Sequence, residues 1–292
     1  MPKITTALIA CAGFGTRFLP ISKTIQKEML PILERPLIDY VVADCVAAGI
    51  EEIIFVVNEH NYQVMHFYQE NHRLRQYLEE HGKAELYAQI ADLHQRARFR
   101  FIKQTASDPY GTAAVLQLAR EQLQEQAAFL VLTGDDFIFA PAGPNPIVAM
   151  LTAYEASGAA GLVTCVEKPT QLLHKYGVVS CQTRAGRQYL QQIVEKPAPG
   201  TAPSNLVNIS KYILPASVWP ILEQQQPDTR LGELLITDTI QQLAATEEVL
   251  VHVPQGEYLD GGYPLAWLLA NLTVAKQDPE LWAAVRAFVQ AA

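Results

Sequence analysis

The chain has 292 residues, 49% hydrophobic and 18% charged, the make-up of a globular protein with room for one extended α/β core, which excludes disordered and fibrous classes. A formal net charge of -8 argues against general attraction to nucleic acid or to an anionic membrane, so any bound phosphate must be held by local groups. Cys11, Cys45, Cys165 and Cys181 lie singly in apolar or strand-like runs without CxxC spacing, and read as buried thiols of a reducing, cytoplasmic setting.

In chain order, Thr5 to Cys11 has the length and composition of a buried parallel strand, and it empties into a loop holding Gly13, Gly15, Thr16 and Arg17. Leu37 to Ile50 carries apolar residues at helical spacing up to Gly49, and Glu52 to Asn58 is a second apolar strand. The opening β-loop-α-β predicts a parallel sheet with right-handed crossovers. Residues 59 to 97 are polar and free of proline, which predicts one or two amphipathic helices inserted on the outside. Gln104 ends a strand from Phe99, a helix is expected over Thr112 to Gln126, and the strand Phe129 to Thr133 ends in Gly134-Asp135-Asp136. A helix over Pro144 to Gly158 and a strand over Gly161 to Val166 come next. Thr183-Arg-Ala-Gly186 between Tyr176–Cys181 and Gln188–Val194 signals a hairpin, an antiparallel excursion from the sheet. A strand over Asn205 to Leu214, helices over Pro215 to Gln225 and Leu231 to Ala245, and a last strand over Val249 to Val253 complete the core. The terminal helices, Tyr263 to Lys276 and Pro279 to Gln290, are apolar on one side and suit either a sheet cover or a subunit contact. The whole, residues 1–292, reads as a single doubly wound, mostly parallel, Rossmann-like α/β domain with C-terminal helices over about 263–292.

The first loop reads as a triphosphate cradle. Its glycines let backbone N–H groups approach phosphate oxygens, and Arg17, Lys23 and Lys27 bring positive charge. It fits neither a P-loop, which has four residues between glycines and then Lys-Ser/Thr, nor a dinucleotide fold with three spaced glycines. Asp135 and Asp136 stand at the carboxyl end of a parallel strand, where open sheets place ligands, and adjacent carboxylates there suit Mg²⁺; a turn or helix cap is an equal reading. Asp260, in Glu257-Tyr-Leu-Asp260-Gly-Gly262, alone reads as a turn residue. Glu195-Lys196-Pro197 offers an acceptor and a point charge for a phosphorylated sugar, or else a solvated loop.

Gly13-x-Gly15-Thr16-Arg17 followed by Lys27-Glu-Met-Leu-Pro31 resembles the signature of the sugar-phosphate nucleotidyltransferases, and further motifs in the same order carry the resemblance from Ile4 to near residue 270. It implies in-line attack of glucose 1-phosphate on the α-phosphorus of UTP, with pyrophosphate leaving, Mg²⁺ as cofactor, no protein nucleophile, and a homodimer or homotetramer. By resemblance, Arg17 and Lys27 meet the triphosphate and Lys196 the sugar phosphate. Ala12, Gly13, Gly15, Thr16, Gln104, Gly111 and Asp135 bind the nucleotide, and Gly177, Glu195 and Lys196 the sugar. Asp135 and Asp260 are the metal ligands, with Asp136 as neighbouring support. Glu167-Lys168-Pro169 repeats the tripeptide of Glu195 but precedes Tyr176-Gly-Val-Val179, so it is expected to lie outside the site. Three segments depart from the pattern: Pro109-Tyr-Gly-Thr-Ala113 stands for Gly-x-Gly-His-Ala, Ile25-Gln-Lys-Glu28 for Ile-Pro-Lys-Glu, and Val207-Asn-Ile-Ser210 for an apolar stretch ending in Gly. A dTTP-using enzyme or one for another hexose shares every charged residue named. A non-catalytic sugar-nucleotide sensor is expected to lack Arg17 or a metal aspartate.

Overall fold

The structure, a computed structural model, describes residues 3–291. Strand β1 (Thr6–Cys11) leads through the glycine loop to a small hairpin, β2 (Pro31–Ile32) and β3 (Arg35–Pro36), then to α1 (Leu37–Ala47) and β4 (Glu52–Asn58). Short helices α2 (Gln63–Phe67), α3 (His72–Glu80) and α4 (Ala84–Tyr87) follow, then β5 (Arg98–Gln104), α5 (Ala114–Leu118), α6 (Arg120–Leu123), β6 (Ala128–Thr133) and β7 (Asp136–Phe139). The second half runs α7 (Pro146–Ser157), β8 (Gly161–Glu167), β9 (Gly177–Arg184), β10 (Arg187–Glu195), β11 (Leu206–Pro215), α8 (Val218–Gln224), α9 (Ile236–Thr246), β12 (Val249–His252) and β13 (Glu257–Asp260). It ends in α10 (Pro264–Ala275) and α11 (Pro279–Ala291).

Nine strands form one sheet in the order β5-β4-β1-β6-β11-β8-β12-β10-β9. The block β5-β4-β1-β6 is parallel throughout, as is the β8–β12 pair. β11 runs antiparallel between β6 and β8, and β10 pairs antiparallel with both β12 and β9. β9 also meets β11 at Val178↔Val207, so the pairings of that half return on themselves. The alternation of β1 shows why its run is apolar throughout. Ala7, Ile9 and Cys11 join the core under α1 with Leu37, Ile38 and Val41, while Leu8 joins the opposite core with Leu116, Val218 and Ile240.

The expected α/β sheet is present, and two local expectations need correction. Residues 59–97 hold three short helices and a 3-10 turn rather than one or two helices. Gly82, at φ +65°, stops α3 and turns Lys83 N–H back onto Leu78 O at 2.8 Å. The helix expected over Thr112 to Gln126 is divided at Ala119. A two-stranded antiparallel ribbon, β7 with β13, was not legible, because four residues carry no periodicity and the partners lie far apart in sequence. All four cysteines are free, and among the described residues no helix is long and apolar enough to cross a membrane.

Candidate active site

The loop after β1 lies at the carboxyl end of the parallel block. Gly15 takes a left-handed conformation, φ +62°, which opens the 3-10 turn Thr16–Phe18 carrying Arg17. Lys27 stands on a further 3-10 turn, and its side chain runs alongside Gly13, where a β-carbon would meet Lys27 Cε at an ordinary contact distance of 3.6 Å. Gln26, where the family pattern has proline, ties this turn to the sheet: its Nε2 donates to Cys11 O at 3.0 Å and its own N–H donates to Gln63 Oε1 at 2.7 Å. That departure is therefore a structural substitution. The neighbouring cavity, about 220 Å³, is lined by Ala12, Gly13, Lys27, Gln104, Gly111 and Asp135 among others. Gln104 Nε2 donates to Pro109 O at 2.7 Å, which leaves Oε1 as the acceptor it can offer the cavity. Gly111 has φ +125°, and any β-carbon would overlap the Leu234 backbone. Leu234 N–H donates to Tyr110 O at 2.9 Å and Ala113 N–H to Leu234 O at 2.8 Å, so this wall is fixed to the segment before α9.

The acids converge from two strands. Gly134, whose β-carbon would sit 2.7 Å from Cys11 Sγ, lets the chain leave β6 tightly against β1 and deliver Asp135. Lys27 Nζ donates to Asp135 Oδ2 and lies 3.7 Å from Glu28 Oε1. Burial alone would raise the Asp135 pKa, but the Lys27 ammonium outweighs it and holds the carboxyl below its ordinary range. Burial would likewise lower Lys27, and the Asp135 and Glu28 carboxylates instead raise it. Glu28 is pushed up to about 7 by its own burial, and its Oε2 has no hydrogen-bond partner. Asp260 ends β13, directly opposite Asp136 in the ribbon, rather than lying in a loop after β12. Gly261 N–H donates to Asp135 O at 2.8 Å and Gly262 N–H to Asp260 Oδ1 at 2.7 Å. A β-carbon at Gly262 would sit 2.9 Å from Asp260 Oδ1 and 3.2 Å from Asp135 Oδ2, so glycine keeps open a space that both carboxylates border. Among the described residues no group of three or more His, Cys, Asp or Glu is arranged around one point. Two carboxylates facing a shared space are the donor set of a hard cation completed by phosphate and water.

Asp136, on the same face of the ribbon as Asp260, is already fully engaged. Its Oδ1 takes the buried Lys211 ammonium and Thr133 Oγ1 at 3.0 Å, and its Oδ2 takes Tyr258 Oη at 2.9 Å. Lys211 and Tyr258 were missed by the sequence reading. A lone lysine inside the apolar run of β11 was the available signal for the first, because such a charge needs a buried partner.

On the far side, Gly177 opens β9 opposite Glu195 at the end of β10. A β-carbon at 177 would lie 3.1 Å from Glu195 Oε2. Burial raises the Glu195 pKa against the pull of Lys196, whose Nζ lies 3.7 Å from Glu195 Oε1. Lys196 N–H donates to Tyr176 O at 3.0 Å. Tyr176 joins the two groups: burial, then the charge of Asp260, pushes its hydroxyl up to about 12, with Arg17 opposing. Thr16 and Arg17 are exposed on the rim. Lys168, expected outside, is not remote. Its ammonium rests over the Tyr258 ring, 4.8 Å from the centroid.

Residues 6–277 match the family model described as nucleotidyl transferase. The UTP--glucose-1-phosphate uridylyltransferase of Bacillus subtilis (strain 168) is 34% identical over 282 residues, 96% of this chain and 94% of the relative. That of Staphylococcus epidermidis (strain ATCC 12228 / FDA PCI 1200) is 33% identical over 99% of both chains. Among solved structures, a UTP-bound UGPase from Acinetobacter baumannii superposes with a TM-score of 0.85 at 31% identity, covering 99% of each chain. A UDP-glucose pyrophosphorylase complexed with UDP-glucose superposes with a TM-score of 0.84 at 27% identity, covering 94% of this chain and all of the other. With the family model matched over residues 6–277 and relatives 33–34% identical over nearly the whole chain, the chain belongs to the nucleotidyl transferase family.

Proposed function

We propose that this protein makes UDP-glucose and pyrophosphate from UTP and glucose 1-phosphate. The observations that support the reading are the meeting of the glycine loop and Lys27 with Asp135, the space over Gly262 that Asp135 and Asp260 both border, and the pairing of Gly177 with Glu195, next to Lys196, at the ends of β9 and β10. The relatives named for this activity match over nearly their full length. Backbone N–H groups at Ala12 to Thr16, with Arg17 and Lys27, hold the triphosphate, while Gln104 Oε1 accepts from uracil and the Gly111 backbone borders the base. Lys196 holds the sugar phosphate, and Glu195 with the backbone at Gly177 orients the hexose. Asp135 and Asp260 hold Mg²⁺, with Asp136 as support; when bound, the ion neutralises phosphate charge and aligns the two substrates. No protein nucleophile takes part, so positioning and charge account for the rate. We propose further that the protein is a single-domain cytoplasmic enzyme and a homodimer or homotetramer. α11 buries none of its residues and exposes Phe288 and Val289, as α10 exposes Leu265, Leu268 and Leu269.

The test is pyrophosphate release with UTP, dTTP, CTP and GTP, each paired with several hexose 1-phosphates. UTP with glucose 1-phosphate should give the highest kcat/KM. A preference for dTTP or for another hexose would replace the substrate assignment, and no release with any pair would refute the activity.

A further inference from the structure

The roles proposed above make no use of Lys168. It stands one residue past β8, and its N–H donates to Asn205 O at 3.0 Å, which fixes its backbone to the start of β11. Its ammonium lies 4.8 Å from the centroid of the Tyr258 ring, close enough for the negative face of the ring to attract a cation. Tyr258 is itself held, through Oη to Asp136 Oδ2. Tyr258 and Asp260 are two residues apart on β13, so they project from the same face of the ribbon. Lys168 therefore stands on the Asp260 side of the crevice.

The other two lysines packed around these acids each end on a carboxylate, Lys27 on Asp135 and Lys211 on Asp136. Lys168 does not: the carboxylates that act on it, Asp260 and Glu257, do so at a distance. Partial burial outweighs them and lowers its pKa from the ordinary lysine value. Among the described residues its N–H donors meet the Tyr258 ring and no oxygen acceptor, and half-burial leaves the rest of the ammonium open to solvent, so a phosphate entering the site can supply the charged acceptor in place of water.

We propose that Lys168 is a second ligand, with Lys196, of the phosphate of the sugar 1-phosphate, reaching it from the Asp260 side. The proposal rests on the reading of this crevice as the sugar-phosphate site. Its test is Lys168→Met and Lys168→Arg, assayed with both substrates varied and with inorganic phosphate as competitor, alongside Lys196→Ala. Lys168→Met should raise the KM for glucose 1-phosphate about tenfold or more and weaken inhibition by inorganic phosphate similarly, since a charged hydrogen bond is lost. The KM for UTP and the melting temperature should stay near wild type, and Lys168→Arg should recover most of the loss. If Lys196→Ala raises that KM and Lys168→Met does not, the proposal is overturned and the crevice reading stands. If neither does, the crevice reading falls with it. A fall in melting temperature and kcat with KM unchanged would make Lys168 a support for Tyr258 and also overturn the proposal.

Discussion

On the side proposed for the nucleotide, the polar groups are already engaged with one another: Lys27 donates to Asp135, Gln104 to Pro109 O, and Asp136 is held by Lys211 and Tyr258. On the side proposed for the sugar, Lys196 lies 3.7 Å from Glu195 at a strand end, and Lys168 rests on a ring. The first region is built on the ends of β1 and β6 in the parallel block, and Lys211 of β11 and Tyr258 of β13 bring partners into a buried setting in which every charge needs one. The second grows out of antiparallel strands and their loops, where partial exposure lets a cation stand without one. Substitutions on the nucleotide side should therefore disturb turnover and stability together, whereas those on the sugar side should act mainly on affinity.

Asp260→Asn should be the most damaging change, lowering kcat/KM about a thousandfold or more, because an amide is a poor ligand for a hard cation that offsets phosphate charge. Activity of the unaltered protein should vanish in EDTA and return with Mg²⁺. Pyrophosphate release measures both, and full turnover in chelator would remove the metal from the account. Lys27→Ala should remove roughly 2–4 kcal/mol of transition-state stabilisation while changing UTP binding little; stopped-flow turnover beside equilibrium titration of UTP separates the two. A near wild-type kcat would show that Lys27 serves only to neutralise Asp135.

Lys211→Met leaves Asp136 buried without its cation and should cost about 3 kcal/mol of stability, seen in denaturant unfolding. Adding Asp136→Asn should restore part of that loss. If Lys211→Met unfolds like the wild type, the ribbon is not held by this pair. The smallest effect is expected outside the crevice, at Asp44, whose pKa partial burial raises to about 6 from an ordinary value of 3.8. A carboxyl raised in the fold favours the native state only while protonated, so stability should fall as pH climbs from about 4 to 6 and stay reduced above that. Asp44→Asn, which keeps an acceptor for Asn145 Nδ2 at 3.1 Å, should raise the melting temperature slightly at pH 7.5 and leave it unchanged at pH 4. Equal gains at both pH values would show that ionisation is not the cause.

Much of the parallel block was legible in the order of residues. β1, β4 and β6 are apolar because both faces are covered, and their runs stop where the chain must turn at Ala12, Glu59 and Gly134. The expectation of a phosphate site at the glycine loop and Lys27 had the same local basis, since backbone access and a nearby cation are properties of a short segment. The partition of the acids was not legible. Asp135 and Asp136 are neighbours in sequence, yet one faces the space kept open by Gly262 and the other is locked to Lys211 and Tyr258, residues 75 and 122 positions away. The two Glu-Lys-Pro segments are identical as strings, and motif order set Lys168 aside. Only the packing of β8 beside β11, and of the ribbon over both, brings its ammonium to Tyr258. Local patterns determine strands, helices and loops because burial and backbone freedom act over a few residues. Which charge meets which depends on strand order and register, and those are decided when distant segments compete to bury the same surface.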